Sequence, residues 1–285
     1  MKFGRGTTAL LLLLPGLAYG VFFFAPLLSS ARISFNEFSR FEGMTPGFTL
    51  DHYRLALTDS YYLQTWASTL RLAFESATIT TILGAVTAYG MWRAGGRVRT
   101  YLLAVVLAPL LVSAVVRALG WIAVLGPGGF LPHITSALGL GEVTIMFSEP
   151  AIVIGFVHVL LPFAVILTLT NLDAINPSAM RAAANLGATQ LQVIRRVVLP
   201  LTYPGLFSSF LYVYAIAGAA YSIPAILGGR RVLAASRAIF QQQTAVLNRP
   251  SAAALSMILI VVTVTLMLIY QWLTRRMQRQ ALPWL

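Results

Sequence analysis

Residues 173–204 read DAINPSAMRAAANLGATQLQVIRRVVLPLTYP, a polar and alanine-rich stretch lodged between two apolar blocks at 150–172 and 205–227. Its punctuation is that of two short helices. Asn176 suits an N-cap and Pro177 the first helical position, where a missing N–H costs nothing. The alanine-rich turn runs to Leu186, and Gly187 stands where a left-handed residue closes a helix. Thr189 opens a second helix, and Gln192 three positions on completes a capping box. Pro200 and Pro204 are expected to end it. Ala182, Ala183 and Ala184 give the first helix a face with almost no side chain, so another backbone can approach it closely. With a glycine turn fixing the angle between the helices, the stretch reads as a stiff knob for a socket on a partner protein. A helical hairpin lying on the lipid surface fits the same residues.

The apolar blocks on either side belong to a series of six, at about 8–30, 64–92, 100–125, 150–172, 205–227 and 252–274, each near the ~20 residues that a helix needs to cross hydrocarbon. Of the 285 residues 58% are hydrophobic and only 10% charged, against roughly 25% charged in soluble domains. These features predict an all-α membrane protein with six transmembrane helices. The first block follows Lys2 and Arg5, and Ala18-Tyr19-Gly20 resembles a cleavage site. The apolar run continues through Val21-Phe22-Phe23-Phe24, however, and outlasts a typical signal core, so a retained helix is expected. The loop at 31–63, with aromatics at Phe35, Phe38, Phe41, Phe48, Tyr53, Tyr61 and Tyr62, is expected to pack on the outer membrane surface.

The net charge is +12. The basic residues are scattered and cap apolar runs, so they read as topology signals and contacts with lipid, and nucleic acid is not an expected partner. With both termini inside, the inner pieces carry Lys2, Arg5, Arg93, Arg97, Arg99, Arg181, Arg195, Arg196, Arg275, Arg276 and Arg279. The outer pieces carry fewer basic residues, together with Glu37, Glu42, Asp51, Asp59, Glu142 and Glu149. This bias predicts an N-in, C-in topology. There is no cysteine, which excludes disulfides and thiol chemistry, and Lys2 is the only lysine. A Walker A loop needs a lysine after its glycines, so nucleotide-driven work falls to another subunit.

The run Ala182-Ala183-x-x-Leu186-Gly187-Ala188, followed by Val197-x-Leu199-Pro200-x-x-x-Pro204, resembles the EAA loop of ABC importer permeases. Pro109-x-x-x-Ser113-x-x-Val116-Arg117-x-x-x-Trp121, Leu125-Gly-Pro-Gly-Gly-Phe-Leu131 and Tyr221-Ser222-Ile-Pro224 through Gly228-Gly229 are similar to the spermidine/putrescine branch of that family. The resemblance implies a type I importer permease fold in the bacterial inner membrane and a non-catalytic subunit. The stretch at 173–204 becomes a cytoplasmic coupling loop, with Arg181, Ala182, Ala183, Leu186, Gly187, Ala188 and Pro200 as ATPase-coupling residues. The implied partners are two ATPase subunits that bind ATP and Mg, a second and different permease, and an external solute-binding protein. The implied substrate is a polyamine or similar small organic solute. The family usually has glutamate where this chain has Arg181. The reversal predicts a compensating acid on the ATPase, unless position 181 is simply solvated.

Charges inside spans default to functional candidates. Glu75 either pairs with Arg71 one turn earlier or lines the solute route. Arg117, about 25 Å along the third span, is expected near the outer interface, as an anchor or at the solute path. His158 reads as a hydrogen-bonded core residue. Tyr221 and Ser222 precede Pro224, which frees a backbone carbonyl at a place where broken helices often line cavities. Tyr89 and Trp92 read as inner-interface aromatics. One intramembrane acid is little for a dication, so an amino-acid derivative, a sugar-like solute or a metal chelate also fits. A secondary transporter driven by an ion gradient is the alternative, although such proteins often have more spans, internal repeats and buried ionisable pairs, and this chain has few of these features. No HExxH, paired carboxylates or Ser/His constellation supports an intramembrane enzyme.

Overall fold

The computed structural model describes the backbone of residues 5–281, and the side chains of 13 and 15–272. The side chains of Lys2, Arg5, Arg275, Arg276 and Arg279, which enter the topology bias, lie outside the described residues. In chain order the elements are α1 (Arg5–Ile33), β1 (Glu37–Ser39), β2 (Gly43–Thr45), α2 (Asp51–Thr58), α3 (Ser60–Ala94), α4 (Gly96–Leu107), α5 (Ala114–Leu125), α6 (Phe130–Ala137), α7 (Glu149–Asp173), α8 (Pro177–Asn185), α9 (Gln190–Val193), α10 (Leu199–Ala219), α11 (Ser222–Leu227), α12 (Ala235–Thr244) and α13 (Arg249–Ala281). Six helical stretches among the described residues are long and apolar enough to cross a membrane. Backbone polar groups in hydrocarbon have no water to bond, which is why such stretches fold as helices.

Two compact units divide the chain. The first comprises residues up to 63 and 238–265. Its α1 runs without a break through Ala18–Gly20 to Ile33. The expected outer loop is built: β1 and β2 pair as a short antiparallel hairpin. Phe35 stacks on Phe48 at 5.0 Å and meets Tyr53 at 5.3 Å, and the Ser34 and Tyr53 hydroxyls share a 2.6 Å hydrogen bond.

The second unit comprises residues 64–237 and those from 266 on. Its centre is α7, whose Ala151, Ile152, Phe156, Leu160, Ala164, Val165 and Leu172 are all buried. One cluster joins α7 to Leu72, Ala73 and Ala77 of α3 and to Val213 and Ala217 of α10. A second gathers Ala88 and Met91 of α3 around Val165 and Leu169. Gly84 permits the closest approach of α3: a Cβ there would fall 2.7 Å from Ala164 Cβ and 3.2 Å from its carbonyl carbon. Both ends of α7 are pinned by arginines. Arg71 of α3 bonds Glu149, and Arg99 of α4 grips Asp173 with two hydrogen bonds of 2.9 and 2.6 Å. The bonds to Asp173 push the Arg99 pKa above its ordinary value.

Three sequence expectations need correction. The block at 100–125 is not one helix. It divides into α4, a tight turn at Ala108–Leu111 and α5. Pro109 sits at the start of that turn, and Ser113 then turns extended and caps α5 by accepting the Val116 N–H at 3.2 Å. The second loop helix does not end at Pro200 and Pro204. A π-helical turn, Ile194–Val198, links α9 to α10, and helix continues to Ala219. Proline lacks an N–H and crowds the carbonyl four residues back, and the widened turn falls on the residues that would be crowded by Pro200. The block at 205–227 is in turn broken at Ala220, which is extended. Pro224 lies four residues further on, so its ring disfavours continuing the helix across Ala220.

Candidate functional site

Local chemistry builds the 173–204 loop as its sequence suggests. Asn176 Oδ1 accepts the Ser178 N–H at 2.9 Å and starts α8. The helix closes at Gly187, whose φ is +81°. Gly187 N–H donates to the Ala184 carbonyl at 2.9 Å and Ala188 N–H to that of Ala183 at 3.1 Å, the paired bonds of a Schellman closure. The capping box is present: Thr189 N–H donates to Gln192 Oε1 at 2.8 Å, and Gln192 N–H to Thr189 Oγ1 at 3.4 Å. Ala182 and Ala184 are exposed and Ala183 is half-buried. Leu186 is 88% exposed and Leu191 62%. Arg181 is exposed, Ala188 half-buried, and Pro200 half-buried in the first turn of α10. Leu191 was not singled out from sequence. Its signal is an apolar side chain flanked by Gln190 and Gln192 in the first turn of the second loop helix.

The span candidates separate. Glu75 does not pair with Arg71, because Arg71 reaches across to Glu149 on α7. Glu75 is half-buried, and among the described residues nothing bonds it. Arg117 does not stand about 25 Å along one continuous helix, because the break at Ser113 restarts the helix and leaves Arg117 in the first turn of α5. It lies one turn from Trp121, whose Nε1–H donates to His158 Nδ1 at 3.2 Å, with the rings edge-to-face at 5.6 Å. His158 lies nine residues, about 14 Å, along α7 from Glu149, so this cluster is inside the span. His158 is thus the hydrogen-bonded residue expected. Arg117 differs: its Nε and Nη1 are buried without a hydrogen-bond partner among the described residues. Buried guanidinium donors without partners are costly and mark a place where an acceptor belongs.

Tyr221 and Ser222 flank the break before α11, both half-buried. The Ala220 carbonyl, which Pro224 frees, already accepts the Ser236 hydroxyl at 2.8 Å. That carbonyl is therefore satisfied within the chain. Tyr89 and Trp92 form a tilted ring pair at 6.0 Å in the last turns of α3. They adjoin Met180 of α8 and Val193 of α9, all packed against the second core cluster.

Comparison with known proteins places this architecture. The model of the family described as "Binding-protein-dependent transport system inner membrane component" matches residues 80–279. The chain is 29% identical over 232 residues to the spermidine/putrescine transport system permease protein PotB of Escherichia coli, covering 81% of this chain and 84% of that one. It is 27% identical over 267 residues to the inner membrane ABC transporter permease protein YdcU of the same organism, covering 88% and 85%. Its fold is that of a chain in a bacterial alginate ABC transporter solved with an alginate pentasaccharide-bound periplasmic protein, at TM-score 0.80, 19% identity and 96% of both chains. A chain of the MetNI methionine ABC transporter matches at TM-score 0.53 and 18% identity, covering 75% of this chain and 92% of that one. This multi-pass inner-membrane chain belongs to the binding-protein-dependent transport system inner membrane component family and is a non-catalytic permease subunit of an ABC importer, similar to the spermidine/putrescine permeases.

Proposed function

We propose that the chain forms half of a solute path and that residues 173–204 couple that path to an ATPase subunit. The carrying observation is Leu186, 88% exposed at the tip of two helices locked by a Schellman closure and a capping box. An exposed leucine on a rigid knob, beside the small residues Ala182, Ala183 and Ala188, fits a socket on another protein and gains about 1.5–3 kcal/mol from burial. Gly187 sets the angle of the knob. Pro200, past the π turn, joins it to α10, so a push on the knob bears on a membrane helix. Two states of the spans, biased by closure of two ATPases carrying ATP and Mg, constitute alternating access. The topology is N-in, C-in, with the loop in the cytoplasm.

The solute is a polyamine or a similar small organic molecule, a reading supported by the names of the relatives. Permeases named PotB and PotC both resemble this chain, which supports pairing with a second, different permease. The alginate transporter was solved with a periplasmic protein, which supports an external solute-binding protein here. Glu75, Arg117, Tyr221 and Ser222 are the candidate path residues. Arg117 is favoured because its buried Nε and Nη1 have no hydrogen-bond partner among the described residues, and Glu75 because neither of the ion pairs among the described residues includes it.

The test is uptake of labelled spermidine by proteoliposomes containing this chain with its co-purifying subunits and binding protein. Uptake is expected with ATP and Mg on the loop side and is expected to be absent with a proton or sodium gradient alone. Gradient-driven uptake without ATP contradicts the reading and favours a secondary transporter.

A further inference from the structure

We propose that a cavity at the base of the coupling loop binds the headgroup of an acidic phospholipid. The cavity has a volume of about 320 Å³, and Tyr89, Trp92 and Arg93 from the end of α3 face Met180 and Arg181 of α8 and Val193 of α9 across it. Two arginines therefore line one space. Among the described residues the ion pairs are Arg71–Glu149 and Arg99–Asp173, so neither Arg93 nor Arg181 is neutralised within the chain. Where the family resemblance leads one to expect an acid at 181, this chain doubles the positive charge instead. Like charges sharing a cavity call for an anion between them.

The lining says which anion. The walls are largely apolar and include a tyrosine and a tryptophan at the end of a membrane-spanning helix, the level at which such residues meet lipid headgroups. Basic pockets at this level attract anionic lipids. A phospholipid supplies both parts: a phosphate for the two arginines, and a glycerol and upper acyl region for Trp92, Met180 and Val193. A free phosphate, or a carboxylate on the ATPase, would match the charge and leave the apolar wall wet. The lipid thereby offsets the charge of Arg181 beside the knob, and the coupling helix is seated on the membrane surface. This inference is independent of which ATPase docks on Leu186.

The experiment is native mass spectrometry of the full chain with its associated subunits, exposed to phosphatidylglycerol and phosphatidylethanolamine with identical acyl chains. The wild type is expected to retain phosphatidylglycerol preferentially, by roughly fivefold for each arginine engaged. The R93Q/R181Q variant should lose that preference. R230Q/R231Q, which removes an exposed pair elsewhere in the chain, should keep it. A second readout does not depend on the folding of the double variant. Phosphatidylglycerol brominated on its upper acyl carbons should quench tryptophan fluorescence in the wild type and quench it less in W92F. Equal retention of the two lipids, a preference that survives R93Q/R181Q, or unchanged quenching in W92F overturns the proposal. Displacement of the lipid by millimolar inorganic phosphate assigns the cavity to a free phosphate instead. Cross-linking of position 181 to an ATPase carboxylate, with no lipid preference in the intact complex, assigns it to the ATPase. Either result also overturns the proposal.

Discussion

Replacing Gly187 with valine is expected to abolish solute uptake and its coupling to ATP hydrolysis while the protein still reaches the membrane in normal amount. The space around Gly187 is open, with nothing within 4 Å of an added Cβ. Crowding therefore cannot be the cause, and the backbone is. At φ +81° an L-residue pays about 1–2 kcal/mol, and a β-branched one is the least tolerated. Relief of that strain turns the chain out of the left-handed region and breaks the two bonds to Ala184 and Ala183. The nine-residue α8 has little stability of its own, so its angle to the helix that starts at Gln190 is lost with the closure. Asparagine, which tolerates the left-handed region, should retain most uptake at the same position. Proteoliposome uptake and ATPase rate, set against the amount of inserted protein, measure the series. Wild-type uptake with G187V would show that the turn geometry is dispensable.

Gly84→Ile is expected to act on the bundle itself. Its first side-chain carbon would fall 2.7 Å from Ala164 Cβ, with the α7 backbone at 3.2–3.3 Å behind it, and neither contact is a flexible chain end that can move aside. The helices must separate, and overpacking of this kind costs about 1–3 kcal/mol or more. At about 2–4 °C per kcal/mol for a domain near this size, the melting temperature of the purified chain should fall by roughly 5–10 °C. Gly90→Ala on the same helix is the control. Gly90 is exposed with nothing near a new Cβ, so alanine should leave stability unchanged or raise it slightly through helix propensity. Equal melting of G84I and wild type would contradict the packing.

What was legible in the sequence follows the range of the interactions. Asn176, Gly187 and the Thr189–Gln192 box act within a few residues, and each is found in the role its position implies. The number of membrane-length apolar helices is legible for the same reason, since solvation by lipid acts on local composition, whereas the third of them runs Ala114–Ala137 and not 100–125. Proline was the misleading signal. Pro200 reads as a stop, yet a π turn beside it lets helix continue. Pro109 lies within an apolar block that reads as one helix, yet helix breaks beside it and resumes after Ser113. Which of these outcomes follows depends on packing that a single chain segment does not encode. Side-chain partners at long range were the least legible. Arg71 stands one turn from Glu75 in sequence but bonds Glu149, 78 residues away. Glu75 is thereby left without the ion pair that its spacing from Arg71 suggested. The burial of the Arg117 guanidinium likewise depends on how α5 packs, which its own residues do not state.

Docking of the coupling loop on an ATPase is tested most directly by site-directed cross-linking. The chain has no cysteine, so a single introduced cysteine gives one defined probe. L186C, in membranes containing the co-expressed ATPase, is expected to cross-link to that subunit, and the yield should change between nucleotide-free and ATP-bound states. F41C is the control: Phe41 is fully exposed in the hairpin expected on the outer surface, and it should give no ATPase adduct. Absence of an adduct from L186C, or an equal adduct from F41C, would contradict the coupling role of residues 173–204.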